Sequence, residues 1–146
     1  MIVNIKKLHE DAKIPKYAKF GDAGLDLTAI SKEFTDSEDT YITYGTGLSI
    51  EIPQGFVGLI FPRSSLCNYD LALTNHIGVI DSGYRGEIKF KYRLTNPFPY
   101  DTTTTYDIGD KIGQLVIIPY PQIQLVEVED LSESERGNGG FGSSGK

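Results

Sequence analysis

The stretch "GEIKFKYRL", Gly86–Leu94, decides the fold class. Ile88, Phe90, Tyr92 and Leu94 alternate with Lys89, Lys91 and Arg93. Successive side chains of a strand point to opposite faces, so a period of two with one apolar face predicts a half-buried β-strand. "GLSIEI", Gly47–Ile52, repeats the pattern, with Leu48, Ile50 and Ile52 set against Ser49 and Glu51. "FVGLIF" (Phe56–Phe61) and "QLVIIP" (Gln114–Pro119) are short continuous apolar runs and predict strands buried on both faces. Pro53, Pro62, Pro97, Pro99, Pro119 and Pro121 punctuate these runs. No stretch keeps a 3.6-residue period for three turns; at most one helical turn fits after Arg63, in "SSLCNYDL". Many short strands with Gly/Pro punctuation predict an all-β sandwich, barrel or jelly roll.

Length and composition bound the function. The chain has 146 residues, one ordinary domain, and 39% hydrophobic content, enough for a core. It contains no apolar run near twenty residues and no signal-peptide pattern, so a soluble intracellular protein, cytoplasmic or nuclear, is expected, without a membrane. The single Cys67 cannot close an internal disulfide, and one cysteine with two distant histidines, His9 and His76, argues against a protein-built zinc site. A net charge of −6 argues against general nucleic-acid binding. A polyanionic ligand would instead need local positive charge. Of the four arginines, Arg63, Arg85 and Arg136 lie in glycine- or serine-rich turns; Arg93 does not.

The tail raises a separate question. From Gly140, "GFGSSGK" fits G-x-x-x-x-G-K, the core of a P-loop. A P-loop needs a strand before it and a helix after it, because the helix N-terminus donates to the phosphates. Here "EDLSESERGN" precedes it and the sequence ends at Lys146. Glycine N–H groups can nevertheless wrap an anion as a nest without a helix, although most Gly/Ser tails are simply mobile chain. The expected division is a β domain over 1–131 and a flexible arm over 132–146.

Five glycine-containing stretches stand out: "GDAGLDL" (21–27), "PRSSL" (62–66), "GVIDSGYRGEIKF" (78–90), "GDKIGQLVI" (109–117) and "RGNGGFGSSG" (136–145). Each alone could be a β-turn. In this order and at these spacings they closely resemble the five motifs of the trimeric dUTP pyrophosphatases (dUTPases), over nearly the whole chain. The resemblance implies a distorted jelly-roll β-sandwich subunit of the β-clip type, in a homotrimer. It implies hydrolysis of dUTP to dUMP and pyrophosphate with Mg²⁺, which limits uracil in DNA and supplies dUMP for thymidylate synthesis. Active sites would be assembled from three chains, each closed by a C-terminal arm. The tail then resembles a phosphate-binding loop because it serves as one.

The residues admit a chemical reading of their own. Attack on the α-phosphorus needs a positioned water, a base and neutralised oxygens. Asp81, at a strand end before a tight turn, is the candidate base, and the resemblance assigns it the attacking water. The alternative is that its side chain only stabilises the turn. "IGVIDSGYRGEI" reads as a β-hairpin whose backbone groups could pair with uracil as another strand would. The resemblance adds Asn75, Ile80 and Lys89 to that site. A narrow slot would exclude the thymine methyl, and cytosine would leave a buried mismatch. Tyr84 corresponds to the tyrosine under the deoxyribose, where no room remains for a 2′-hydroxyl; the alternative is a plain core aromatic.

"PRSS" offers a guanidinium, two hydroxyls and backbone donors, a suitable phosphate cradle. By resemblance Arg63, Ser64, Ser65 and Gln114 contact the phosphates. Arg136 and Ser143 take the γ-phosphate, beside Gly142, and Phe141 stacks on uracil. Asp26 matches the aspartate that helps hold Mg²⁺ through water, and one carboxylate plus a triphosphate suits that ion. Arg85 reads as structural, paired with a carboxylate. Four positions depart from the family's usual residues. Ser65 replaces glycine, which costs about 1 kcal/mol if the backbone needs a positive φ. Gly83 replaces an acidic residue, Leu25 an aromatic and Gly113 an alanine. Two rival functions share the scaffold: a dCTP deaminase, for which the H-x-E…P-C-x-x-C zinc pattern is missing, and a regulatory protein on an inactive dUTPase frame.

Overall fold

The computed structural model describes residues 1–34, 41–95 and 104–140. Phe141, Gly142 and Ser143 lie outside the described residues. Ten strands and one short helix are described: β1 (Asn4–Lys7), β2 (Leu25–Thr28), β3 (Ser31–Phe34), β4 (Tyr41–Gly45), β5 (Leu48–Glu51), β6 (Phe56–Phe61), a 3₁₀ helix (Ser64–Asn68), β7 (Leu71–Leu73), β8 (Gly78–Ile80), β9 (Lys89–Leu94) and β10 (Lys111–Pro119). The 3₁₀ helix is the single turn expected after Arg63. Among the described residues no helix is long and apolar enough to cross a membrane.

The strands form two four-stranded sheets, β2-β10-β6-β8 and β3-β4-β9-β7, and a ribbon β1-β5. Every strand pairing is antiparallel. The alternation in β9 is obeyed: Phe90, Tyr92 and Leu94 are buried, and Lys89, Lys91 and Arg93 are exposed. β5 likewise buries Leu48 and Ile50; it also buries Ser49, whose hydroxyl donates to the Arg85 carbonyl at 2.7 Å. The inner faces of both sheets share one core, with Leu27, Ile60 and Leu115 from one sheet and Ile42, Tyr44, Phe90 and Tyr92 from the other. The Tyr92 hydroxyl donates across that core to the Ile112 carbonyl at 2.5 Å. This is the β-sandwich arrangement expected of a jelly-roll subunit.

Two expectations are corrected. β6 and β10 are not buried on both faces. In β6 only Gly58 and Ile60 are fully buried; in β10 Val116 and Ile117 are half-buried and Ile118 is exposed. Only one face of their sheet meets the other sheet within a single chain. Secondly, β8 and β9 do not form a hairpin. β9 lies between β4 and β7, so both of its edges are already occupied. β8 instead pairs with β6, with Ile80 opposite Gly58 and Gly78 opposite Ile60. Residues 81–88 therefore carry the chain from one sheet to the other, and β8 is an edge strand.

A bulge shapes the start of β10. The register slips between Lys111 and Gly113, so Ile112 and Gly113 are both buried. The slip breaks the period of two and leaves both Lys111 and Gln114 outside the core, beside β2. Gly113 is required there: a Cβ would lie 2.1 Å from Phe90 Cε1 and 2.9 Å from the Phe61 carbonyl oxygen. The departure from alanine thus follows from the Phe90 ring beneath it.

Candidate active site

Most of the sequence-predicted residues that the structure describes gather at two places along β6. The first is a polar corner. Gln114 of β10 is paired on one side with Asp26 of β2 and on the other with Phe61 of β6. Pro62 and Arg63 continue β6 in extended conformation to the 3₁₀ helix. Arg63 Nε donates to Asp26 Oδ1 at 2.9 Å, and Lys111 Nζ donates to Asp26 Oδ2 at 2.8 Å. Gln114 donates to the Pro62 carbonyl at 3.3 Å, and Arg63 Nη1 reaches Ser65 Oγ at 3.4 Å. Ser64 is exposed and Ser65 half-buried. His76 is the only described non-glycine residue with positive φ, so Ser65 carries no backbone strain in place of glycine.

The Asp26 side chain is one-fifth exposed. Burial, the largest single influence, would raise its pKa. The hydrogen bond from Lys111 and the charges of Arg63 and Lys111 together outweigh it and hold the carboxyl below its usual range. Asp26 is therefore an anion at neutral pH, with both oxygens taken by cations. Lys111 was not among the sequence-predicted residues. Its signal lay in "GDKIGQ", but only the bulge brings it to Asp26.

The second place is a cavity of about 590 Å³ lined by Val79, Ile80, Asp81, Tyr84, Glu87, Ile88 and Lys89. It lies where the chain leaves the β8 edge and enters β9. The Tyr84 N–H donates to the Asp81 carbonyl at 3.0 Å, and the Tyr84 hydroxyl donates to the Glu87 carbonyl at 2.9 Å. The turn is thus held by the Asp81 backbone. Among the described residues no hydrogen bond or ion pair engages the Asp81 carboxylate, which removes the reading that its side chain serves the turn. Tyr84 is 44% exposed and lines the cavity, so it is not a core aromatic. Lys89 pairs with Glu87 at 3.3 Å, and Glu87 Oε1 accepts the Gly47 N–H at 2.7 Å. Asn75 precedes β8 on the side away from Asp81, outside the cavity lining.

Two glycines and a carboxylate complete this place. Gly86 lies against Tyr84: a Cβ would sit 2.4 Å from the hydroxyl oxygen and 2.6 Å from Cζ. Around Gly83 there is open space, so the absent acidic side chain leaves no hole. Arg85 is structural, as expected. It donates to Glu51 Oε1 at 3.0 Å, to the Ser82 carbonyl at 2.6 Å and to the Tyr84 carbonyl at 3.0 Å.

In the tail, Arg136 is exposed and its Nε donates to the Gly139 carbonyl at 2.9 Å. The structure does not bring it to either place. Among the described residues no three His, Cys, Asp or Glu side chains gather in a way that could hold a metal ion on their own.

These features can be set beside known proteins. The dUTPase family model matches residues 10–145. The deoxyuridine 5'-triphosphate nucleotidohydrolase of Thermobifida fusca (strain YX) is 41% identical over 144 residues, covering 98% of this chain and 78% of that relative. The Clostridium tetani (strain Massachusetts / E88) protein of the same name is 42% identical over 151 residues, covering 99% and 97%. Among solved structures, the Staphylococcus bacteriophage 80alpha dUTPase with dUPNHPP superposes with a TM-score of 0.82 at 28% identity, over 99% of both chains. A family match that begins before the first glycine motif and runs to the penultimate residue, with relatives of about 40% identity over the same span, means that this chain belongs to the dUTPase family.

Proposed function

We propose that this chain hydrolyses dUTP to dUMP and pyrophosphate, with the Asp81 carboxylate as the base that activates the attacking water. The observation that carries the assignment is an Asp81 carboxylate with no hydrogen-bond or ion-pair partner among the described residues, at a cavity also lined by Tyr84. Asp81 takes a proton from water as the oxygen attacks the α-phosphorus, and pyrophosphate leaves with the bridging electron pair. The edge of β8 that no described strand covers offers backbone donors and acceptors to uracil, the role first assigned to a hairpin. Tyr84, fixed through Glu87, supports the deoxyribose, with Ile80, Lys89 and Asn75 as further nucleoside contacts.

Arg63, Ser64, Ser65 and Gln114 are the phosphate ligands. A guanidinium already committed to a carboxylate can exchange it for phosphate oxygens of similar geometry. Asp26, an anion that Lys111 still neutralises once Arg63 leaves, suits Mg²⁺ held through water and by the triphosphate. Mg²⁺ would neutralise charge on the phosphate oxygens. Residues 132–146 act as an arm carrying Arg136, Phe141, Gly142 and Ser143 to a site.

A homotrimer with shared sites fits the geometry. Arg63 lies at one end of β6 and Ile80 pairs near the other, at Gly58. That span of extended chain is about 17 Å. A base and the phosphate ligands must meet within a few ångströms of the same phosphorus. The gap closes if the phosphate corner of one copy abuts the cavity of another. Exposed apolar side chains after β10, among them Ile123 (72%), Leu125 (86%), Val126 (72%) and Leu131 (87%), supply surface for such packing.

Pyrophosphate release from dUTP against dTTP, dCTP and UTP tests the activity; comparable turnover of dCTP or UTP would overturn the nucleoside assignments. Sharing is tested by reassembling Asp81→Asn with Arg63→Ala chains, each inactive alone. Random mixing recovers about a quarter of the sites if Asp81 and Arg63 come from different copies. No recovery in trimers whose mixed mass is confirmed would show that one chain holds both.

A further inference from the structure

Tyr44, Tyr92 and Tyr106 form the aromatic centre of the core, with ring centroids about 6 Å apart and edge-on. Two of the three hydroxyls are satisfied: Tyr44 donates to the Tyr106 carbonyl at 3.0 Å and Tyr92 to the Ile112 carbonyl at 2.5 Å. Tyr106 differs. It is 1% exposed, and its hydroxyl is the one buried side-chain polar atom among the described residues without a hydrogen-bond partner. Folds rarely keep such a group when phenylalanine would fill the same space.

The position of Tyr106 suggests what the hydroxyl is for. Its ring lies 4.1 Å from that of Tyr69, whose N–H caps the 3₁₀ helix by donating to Leu66. Reciprocal bonds between Asp70 and Thr104, at 2.8 and 2.7 Å, tie the segment leading to Tyr106 to the end of the same helix. Ser65 lies in the first turn of that helix. Burial pushes the Tyr106 phenol up, while the Ser65 hydroxyl and the Arg63 charge pull it back. Ser65 thus bears on both groups: it pulls on the Tyr106 phenol, and Arg63 reaches it at a long 3.4 Å. Ser65 is also the position where the family usually has glycine.

We propose that Tyr106 is a positioning residue for phosphate binding: with nucleotide bound, its hydroxyl donates to Ser65 Oγ and turns the Ser65 proton onto a phosphate oxygen. The proposal rests on Arg63 and Ser65 being phosphate ligands. A serine hydroxyl has one proton to give and can accept others. In the ligand-free chain Ser65 accepts weakly from Arg63. When Arg63 moves onto the phosphates, Ser65 loses that donor and Tyr106 replaces it. The Ser65 proton is then free for the ligand, and the two bonds polarise one another. Tyr106 cannot turn away, because its ring is packed and its carbonyl is held by Tyr44.

The test is calorimetric titration of the full chain with a non-hydrolysable α,β-imido analogue of dUTP, and with deoxyuridine, which has no phosphate. Tyr106→Phe should weaken the analogue about fivefold and leave deoxyuridine unchanged. Its thermal midpoint should hold or rise, since an unpaired buried hydroxyl is removed. Ser65→Gly should weaken the analogue to a similar extent, and Tyr106→Phe added to it should cost nothing more. Wild-type affinity in Tyr106→Phe, additivity with Ser65→Gly, or a loss shared by deoxyuridine would each overturn the proposal. Arg63→Ala separates the two levels. If it weakens the analogue while Tyr106→Phe does not, only the role of Tyr106 fails. If neither it nor Ser65→Gly has any effect, the phosphate assignment fails and the proposal with it.

Discussion

The two ends of β6 are built by opposite means. At the Arg63 end, residues far apart in sequence hold each other: Arg63 with Asp26 and Lys111 with Asp26, across 37 and 85 positions. At the Asp81 end the bonds that hold Tyr84 are local, Tyr84 to Asp81 and Tyr84 to Glu87, and the distant partners, Ser49 and Glu51, meet the turn at Arg85. The first end is charge held by charge, and exists only once three strands of one sheet and a bulge are in register. The second is a backbone turn in which the Asp81 carboxylate has no partner among the described residues. Phosphate needs compensating charge that stays in place while no ligand is bound. A general base needs freedom to take a water's proton.

The largest expected effect tests that division. Asp81→Asn should lower kcat about 10³-fold, within the range for loss of a general base. Affinity for a non-hydrolysable dUTP analogue should stay within about threefold, because the turn uses the Asp81 carbonyl and not its carboxylate. Pyrophosphate release and calorimetry measure the two. Loss of binding equal to loss of turnover would mean that the carboxylate shapes the turn after all.

Gly86→Ala should act next most strongly, and on position alone. The new Cβ meets the far end of Tyr84, which is partly exposed and can move outward. The thermal midpoint should therefore change little. KM for dUTP should rise about tenfold, and discrimination against UTP should fall, because a small displacement of a positioning group is costly. Unchanged discrimination, measured by turnover of both nucleotides, would remove Tyr84 from sugar selection.

The same contrast explains what was legible in the sequence. Alternation in β5 and β9 is a local property; β9 obeys it, and β5 departs from it only in burying Ser49. Four of the five glycine motifs contain the residues found at the two ends, and Arg136 of the fifth reaches neither. What failed was pairing. The step from β8 to β9 looks like a hairpin because the turn is tight, yet β4 and β7 already occupy both edges of β9, which no local pattern reveals. Lys111 was missed for a similar reason: a strict period of two puts it on the face opposite Gln114, and only the bulge brings both beside Asp26. Tyr106 looked like any of nine tyrosines. Its unpaired hydroxyl becomes visible only when the other acceptors in the core are accounted for.

Gly113→Ala probes the core beneath the Arg63 end. Its Cβ would press on Phe90 and on the Phe61 carbonyl, neither of which can swing into solvent. Overpacking of this kind costs about 1–3 kcal/mol, so denaturant unfolding should show a lower midpoint. Adding Phe90→Leu should recover part of the loss, since the ring atoms make the closest contacts. A neutral Gly113→Ala would mean that β10 and β9 separate more readily than their buried faces imply.

The smallest effect is expected at Glu51, where the comparison is sharpest. Among the described residues it makes the one long-range ion pair at the turn, with Arg85 at 3.0 Å; the Ser49 hydroxyl adds a neutral bond to the Arg85 carbonyl. Its carboxyl is held below the usual range first by the hydrogen bond from Asn4, at 2.8 Å, and then by the charge and hydrogen bond of Arg85. A depressed folded pKa stabilises the fold above the unfolded pKa, and that contribution is lost as pH falls through the folded value. Glu51→Gln should therefore lower the thermal midpoint by about a degree at pH 7, as exposed ion pairs do. The difference from wild type should shrink as pH falls below about 4.3, the ordinary glutamate value. KM for dUTP should change less than about twofold, because Arg85 keeps its bonds to the Ser82 and Tyr84 carbonyls. A large rise in KM would show that the turn depends on a distant charge, as the Arg63 end does, and would erase the distinction between the two ends.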